Sequence, residues 1–115
     1  MGDRSNIKVT YEDGNSVFLY SHWDGKRNIQ VVRDALLSGQ RVTDSAYFTR
    51  ILFEKMIGDN RLGTSGYGIS TFMPDNDYGN PIVHIRYHGW QMPGDGRPVV
   101  MLEDSDGREL EEVEY

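Results

Sequence analysis

A chain of 115 residues and 13.2 kDa is enough for one compact domain and excludes two, because single cores form at about 100–150 residues and shorter pieces bury too little surface. The absence of cysteine excludes a disulfide framework and a thiolate metal site, and no apolar run approaches the ~18 residues of a membrane span. The net charge of −6 is confined to the end of the chain: residues 1–100 hold 11 acids and 11 Lys/Arg, while residues 101–115 hold seven acids against Arg108 alone.

In chain order, Ile7, Val9 and Tyr11 alternate with Lys8, Thr10 and Glu12, Asp13-Gly14-Asn15 turns the chain, and Val17 to Tyr20 follows as an apolar run, which predicts a β-hairpin. Ile29, Val32 and Leu36 keep helical spacing over Asn28 to Leu37, with Gly39 as the stop. Thr43 or Asp44 is placed to cap a second helix, in which Tyr47, Phe48, Ile51, Leu52, Met56 and Ile57 recur at helical spacing up to Gly58. Tyr67 to Phe72 reads as a short strand weakened by glycine, and Met73 to Asn80 as a loop. From Pro81 a strand sets Ile82, His84, Arg86 and His88 on one face and Val83, Ile85 and Tyr87 on the other. Gly89 to Gly96 is a predicted turn, Val99 to Leu102 a strand and Asp104 to Gly107 another turn, leaving Leu110, Val113 and Tyr115 as a partly ordered last strand. The expected fold is α+β, a single domain over residues 1–115, with a mainly antiparallel sheet in ββααβββ order, two helices on one face and an acidic C-terminal segment at about 103–115.

The candidate motifs each admit two readings. His84 and His88 are four apart, but on a strand that separates them by roughly 13 Å, so one zinc ion cannot bridge them. Asp75-Asn76-Asp77 and Asp104-Ser105-Asp106-Gly107 lack the spacing of a calcium loop and read as turns, so no metal or cofactor is expected. Gly63 to Gly68 has the glycines of a phosphate loop without its Lys-Ser/Thr ending or following helix, which leaves a ligand wall or a tight turn, with Ser70 and Thr71 beside it as hydroxyl donors. Ser21-His22-Trp23 follows an apolar strand where the chain leaves the core; an indole stacks on a base and a histidine donates to phosphate, or the pair simply covers the sheet end. A hydrolytic use of His22 with Ser21 or water and Asp24 is a further reading of the same cluster. Arg50 interrupts the apolar stripe of the second helix, and Arg4 sits ahead of the first strand; each is either a surface ion-pair partner or a two-pronged phosphate holder.

The segments Gly2-Asp3-Arg4-Ser5-Asn6-Ile7, Leu19-Tyr20-Ser21-His22-Trp23, Tyr47-Phe48-Thr49-Arg50-Ile51-Leu52-Phe53 and Gly66-Tyr67-Gly68-Ile69-Ser70-Thr71, with Asp75-Asn76 and Pro81-Ile82-Val83, together resemble a family of small uncharacterised proteins of bacteriophages, actinobacterial phages included, and of some bacterial chromosomes. The resemblance spans residues 2–85 and implies residence in a phage or prophage, where small accessory proteins act on host systems. The residues that carry it and suit a ligand are Arg4, Asn6, His22, Trp23, Arg50, Tyr67, Ser70, Thr71, Asp75 and Asn76. A stacking surface with cations and neutral donors suits a small anionic, base-containing molecule. The expectation is a cytoplasmic, non-enzymatic protein that sequesters a nucleotide-derived host immune signal, as a homo-oligomer, without binding nucleic acid or membrane. The first alternative is an acidic inhibitor of a host defence complex, such as an anti-CRISPR protein; the second is a small phosphodiesterase-like enzyme using His22 or His84.

Overall fold

The computed structural model describes residues 3–60, 63–88 and 96–115. Strand β1 (Ser5–Thr10) and strand β2 (Ser16–Ser21) form the hairpin, closed by Gly14 N–H donating to the Tyr11 carbonyl at 2.9 Å with Gly14 at φ 87°. Helix α1 (Asn28–Ser38) ends on Gly39, whose φ of 69° lies in the left-handed region where glycine carries no Cβ penalty. Helix α2 (Ser45–Ile57) begins on Asp44, whose carboxylate accepts from the Tyr47 N–H at 3.2 Å and so satisfies one orphan donor of the first turn. Strands β3 (Tyr67–Ser70), β4 (Ile82–Arg86), β5 (Val99–Glu103) and β6 (Glu109–Val113) complete the chain.

The six strands form one sheet in the order β3-β2-β1-β4-β5-β6, antiparallel at every step except the central β1–β4 pair, which is parallel. The architecture is α+β with a mainly antiparallel sheet, as the ββααβββ reading expects, and β6 extends it by one ordered strand. Alternation decides which side chains meet. Leu19, Ile7, Val83 and Leu102 lie in one cross-strand row, and Val17, Val9, Ile85 and Val100 in the next. Both rows join a single buried cluster with Val32 and Leu36 of α1 and Phe48, Leu52 and Met56 of α2. Each such side chain contributes about 1.5–3 kcal/mol on burial, so the helices are held to this face by the apolar stripe and not by helix propensity. Tyr87 continues the helix-facing row and donates to the Val42 carbonyl at 2.6 Å; burial pushes its phenol well above the ordinary tyrosine range.

The strand expected over Tyr67 to Phe72 stops at Ser70, where the Ser70 hydroxyl bonds the Phe72 carbonyl and turns the chain. The expected turn from Gly89 to Gly96 lies outside the described residues except for Gly96. The acidic segment 103–115 is largely ordered, as the end of β5 and the edge strand β6. Its first acid, Glu103, is buried on β5 and Val113 enters the core, while Glu109 to Glu112 of β6 and the flanking Asp106 and Glu114 are exposed.

Candidate functional site

The site forms where β1 begins and β2 ends. Adjacent antiparallel strands bring Asp3 and His22 together, and the Asp3 N–H donates to the His22 carbonyl at 2.8 Å. His22 N–H in turn donates to the Gly66 carbonyl at 2.8 Å, which joins the glycine loop to the same end of the sheet. After Trp23 the chain must reverse tightly into a 3₁₀ turn over Gly25–Arg27. Asp24 adopts a left-handed φ of 57° to do so, and Gly25 packs so closely on β1 that its N–H bonds the Asp3 carbonyl at 2.8 Å.

Loop 74–81 closes the other side, and polar residues distant in sequence fasten it. Asn6, fully buried, shares its amide hydrogens among the Pro74 and Asp75 carbonyls and Asn76 Oδ1, at 3.3, 3.4 and 3.1 Å. Asn76 donates onward to the Asn80 carbonyl at 2.9 Å, and Asn80 to Asp3 Oδ1 at 2.6 Å and the Arg4 carbonyl at 3.0 Å. Arg4 donates to Asp77 through both its backbone N–H and Nε at 2.9 Å, and its Nη1 reaches Asp75 at 3.2 Å. These bonds hold the Asp77 carboxyl below the usual carboxylate range, the backbone N–H of Arg4 being the largest cause. Arg4, Asn6, Asp75 and Asn76 are thus brought together, chiefly onto one another. They form a clasp.

Between the clasp and the 3₁₀ turn lies an open cavity of about 670 Å³, lined by Asp3, Arg4, His22, Lys26 and the segment Asp77 to Asn80. Two of its polar groups are unengaged among the described residues. The Lys26 ammonium makes no ion pair, and the His22 ring is hydrogen-bonded only through Nδ1, with the Tyr20 hydroxyl at 2.8 Å. In the tautomer in which the Tyr20 hydroxyl donates to Nδ1, Nε2 carries a hydrogen that it can donate to a ligand oxygen. Arg4, by contrast, has its charge matched by Asp77 and Asp75, so it fixes the loop and contributes little net field. Two aromatic rings stand nearby. Tyr78 is 95% exposed on the cavity wall, and Trp23 is 49% exposed, edge-on to His22 with ring centres 4.5 Å apart. Gly66 lies flat against Trp23, where an added Cβ would approach the indole to 3.1 Å.

Four expected ligand residues lie elsewhere. Arg50 is exposed on α2, pairs with Glu54 one turn on and borders a separate hollow with Gln40 and Arg41. Ser70 pairs with Phe18, three residues along β2 from Ser21, which places it roughly 10 Å from the cavity end of the strand, and Thr71 is exposed beyond it. Tyr67 is a partly buried residue packed against the core, opposite Ser21. In the other direction, Lys26, Tyr78 and Asn80 line the cavity without having been singled out in the sequence. Lys26 carried a usable signal, a cation directly after Asp-Gly at the exit of an apolar strand; Tyr78 and Asn80 sit in a loop with no period to mark them.

Among the described residues, no three His, Asp or Glu side chains converge as metal ligands, and no helix is long and apolar enough to cross a membrane. The chain matches no protein-family model, no curated protein and no solved structure.

Proposed function

We propose that the chain is a phage-encoded accessory protein whose sheet-end cavity binds and holds a small nucleotide-derived host signal without altering it. The observation that carries this reading is the pairing of unengaged donors, Lys26 Nζ and His22 Nε2, with the exposed ring of Tyr78 on one cavity. The donors suit phosphate oxygens and the ring suits a base, while the rigid clasp holds the loop in place before the ligand arrives. The phage resemblance supplies the biological setting, and a cytoplasmic location and self-association belong to the same proposal.

Calorimetric titration of the full chain with nucleoside mono-, di- and triphosphates and dinucleotides tests it. A ligand should bind, and Lys26→Gln should weaken it about 10- to 100-fold, the worth of one charge-assisted hydrogen bond. Native mass spectrometry then separates holding from turnover, because a sequestered ligand leaves with its mass unchanged. No binding across the panel refutes the reading.

The second reading, an inhibitor directed at a basic host protein, is favoured by the exposed Glu109, Glu111 and Glu112 on the open edge strand β6. Truncating this segment is a poor test, since it removes the core residue Val113, which pairs with Val100. Glu111→Lys with Glu112→Lys reverses the charge and leaves the core intact. Loss of inhibition in that variant, with nucleotide binding absent, decides for the inhibitor.

A further inference from the structure

The helix-free face of the sheet carries a second polar cluster that the cavity does not use. Glu103 Oε2 lies 2.5 Å from His84 Nδ1, His84 Nε2 lies 2.7 Å from Thr10 Oγ1, and Thr10 Oγ1 lies 2.8 Å from Ser16 Oγ. The direction of this chain is fixed from one end. A carboxylate only accepts, so His84 Nδ1 carries the proton, Nε2 is left as an acceptor, and the Thr10 hydroxyl donates to it. His84 and Glu103 are buried, whereas Thr10 and Ser16 are partly exposed, so a base and its orienting acid lie beneath an accessible hydroxyl.

Two cationic residues are strand neighbours of this network. Lys8 is the register partner of His84 and Arg86 that of Thr10, and by strand alternation both project from the same face. Neither is committed to a tight ion pair: Lys8 lies 5.8 Å from the centre of the Phe18 ring, and Arg86 only approaches Glu109 at 3.9 Å across two half-exposed side chains.

We propose that Thr10 is the nucleophile of a phosphodiester-cleaving site on this face, with His84 as its general base, Glu103 positioning His84, and Lys8 and Arg86 holding the phosphate oxygens. Thr10 Oγ1 bonds to phosphorus as the bond from phosphorus to the leaving oxygen breaks; the hydroxyl proton passes to His84 Nε2 and then to that leaving oxygen. Water attacks the phosphothreonyl ester and gives a proton to His84 Nε2, the bond from phosphorus to Oγ1 breaks, and Thr10 recovers the proton. Desolvation lowers the His84 pKa most, and the nearby Lys8 and Arg86 charges lower it further, while Glu103 opposes them. Together they keep His84 neutral near pH 7 and ready to accept.

The test is p-nitrophenolate release from bis(p-nitrophenyl) phosphate by the full chain, with intact-mass and peptide mapping of the protein during turnover. Release above the buffer rate and a phosphoryl adduct on Thr10 are expected. Thr10→Ser keeps the activity within about tenfold and the isosteric Thr10→Val loses it about 100-fold or more, as for loss of an activated nucleophile. Among the described residues, the charged groups that act on His84 are Glu103 on β5, Lys8 on β1 and Arg86 on β4. Glu103→Gln should therefore move the acidic limb of the pH–rate profile to lower pH, since Glu103 is the group that raises the His84 pKa; a purely packing role leaves that limb in place. Lys8→Gln, at a partly exposed position, raises KM. No release above buffer, an adduct on Ser16 instead of Thr10, or turnover undiminished in Thr10→Val overturns the proposal, and the wild-type adduct decides the matter even where a variant fails to fold.

Discussion

Replacing Gly25 by alanine tests how the sheet end is held together, because this glycine is required for space and not for an unusual backbone angle. An added Cβ would sit 2.4 Å from the Asp3 carbonyl oxygen and 2.9 Å from the Ser5 backbone nitrogen. The first distance is about 1 Å short of ordinary contact, and both neighbours are backbone atoms that no rotamer change can move aside. The 3₁₀ turn must back away from β1. Overpacking of this kind costs about 1–3 kcal/mol, and loss of the bond from Gly25 N–H to the Asp3 carbonyl adds about 1 kcal/mol. A total near 2–4 kcal/mol corresponds to a melting temperature roughly 8–16 °C lower for a chain of this size. Gly68→Ala is the matched control, since its Cβ would meet nothing within 4 Å. Alanine in that strand should leave stability unchanged or raise it by up to about 1 kcal/mol. Thermal and urea unfolding followed by circular dichroism reads both variants. A Gly25→Ala protein melting within 2–3 °C of the wild type, or a Gly68→Ala protein falling as far, refutes the steric argument on which the cavity wall rests.

Asn6→Ala should lower stability by about 1–3 kcal/mol in urea unfolding, because it leaves the Pro74 and Asp75 carbonyls and Asn76 Oδ1 short of a donor, and it should weaken nucleotide binding without removing a ligand contact. Arg50→Ala should change stability by no more than about 0.5 kcal/mol and leave calorimetric binding unaltered, since it breaks only an exposed pair on α2. Burial holds the His84 pKa below its ordinary value of 6.5, so the unfolded chain takes up a proton that the folded chain resists; stability should fall as pH drops through about 6.5 and level off below the folded pKa, unless charge elsewhere is also changing. Urea midpoints at pH 8, 7, 6 and 5.5 check the sign, and His84→Gln should flatten this part of the profile. Asp77 acts in a separate, more acidic window: its lowered pKa gives stability that is complete above its ordinary 3.8 and is lost as pH falls below it.

The elements legible in the sequence are those set by short-range pattern. Ile7 and Val9 against Lys8 and Thr10 fix the phase of β1, the helical spacing of Ile29, Val32 and Leu36 with Gly39 fixes α1, and Asp44 marks the start of α2. The parallel pairing of β1 with β4 was not legible, since no local signal joins Ile7 to Val83 across two strands and two α-helices. Glu103 was counted with the acidic residues that follow it. Strand phase held the missing signal: Val100 and Leu102 face the helices, so Val99, Met101 and Glu103 share the opposite face with His84 on the neighbouring strand.

The candidate residues were recognisable as polar groups of a shared set, yet their chemistry could not be read from type alone. Arginine and aspartate suit a ligand and suit each other equally well, and buried polar groups must find partners wherever they lie. Arg4 with Asp77 and Asn6 with Asn76 are about 70 residues apart in sequence, so mutual satisfaction and ligand binding look the same until the loop is folded back. In the folded chain the two roles divide. The clasp residues consume their hydrogen bonds internally and give loop 74–81 a fixed course, which sets Tyr78 on the cavity wall, while Lys26 and His22 keep groups in reserve facing the same space. A site of this design gains affinity from order established before binding. Disturbing Asn6 should therefore weaken the ligand through the position of Tyr78, and disturbing Lys26 through direct contact. Only the Asn6 variant should lose stability as well, so unfolding and titration of the same two proteins separate positioning from contact.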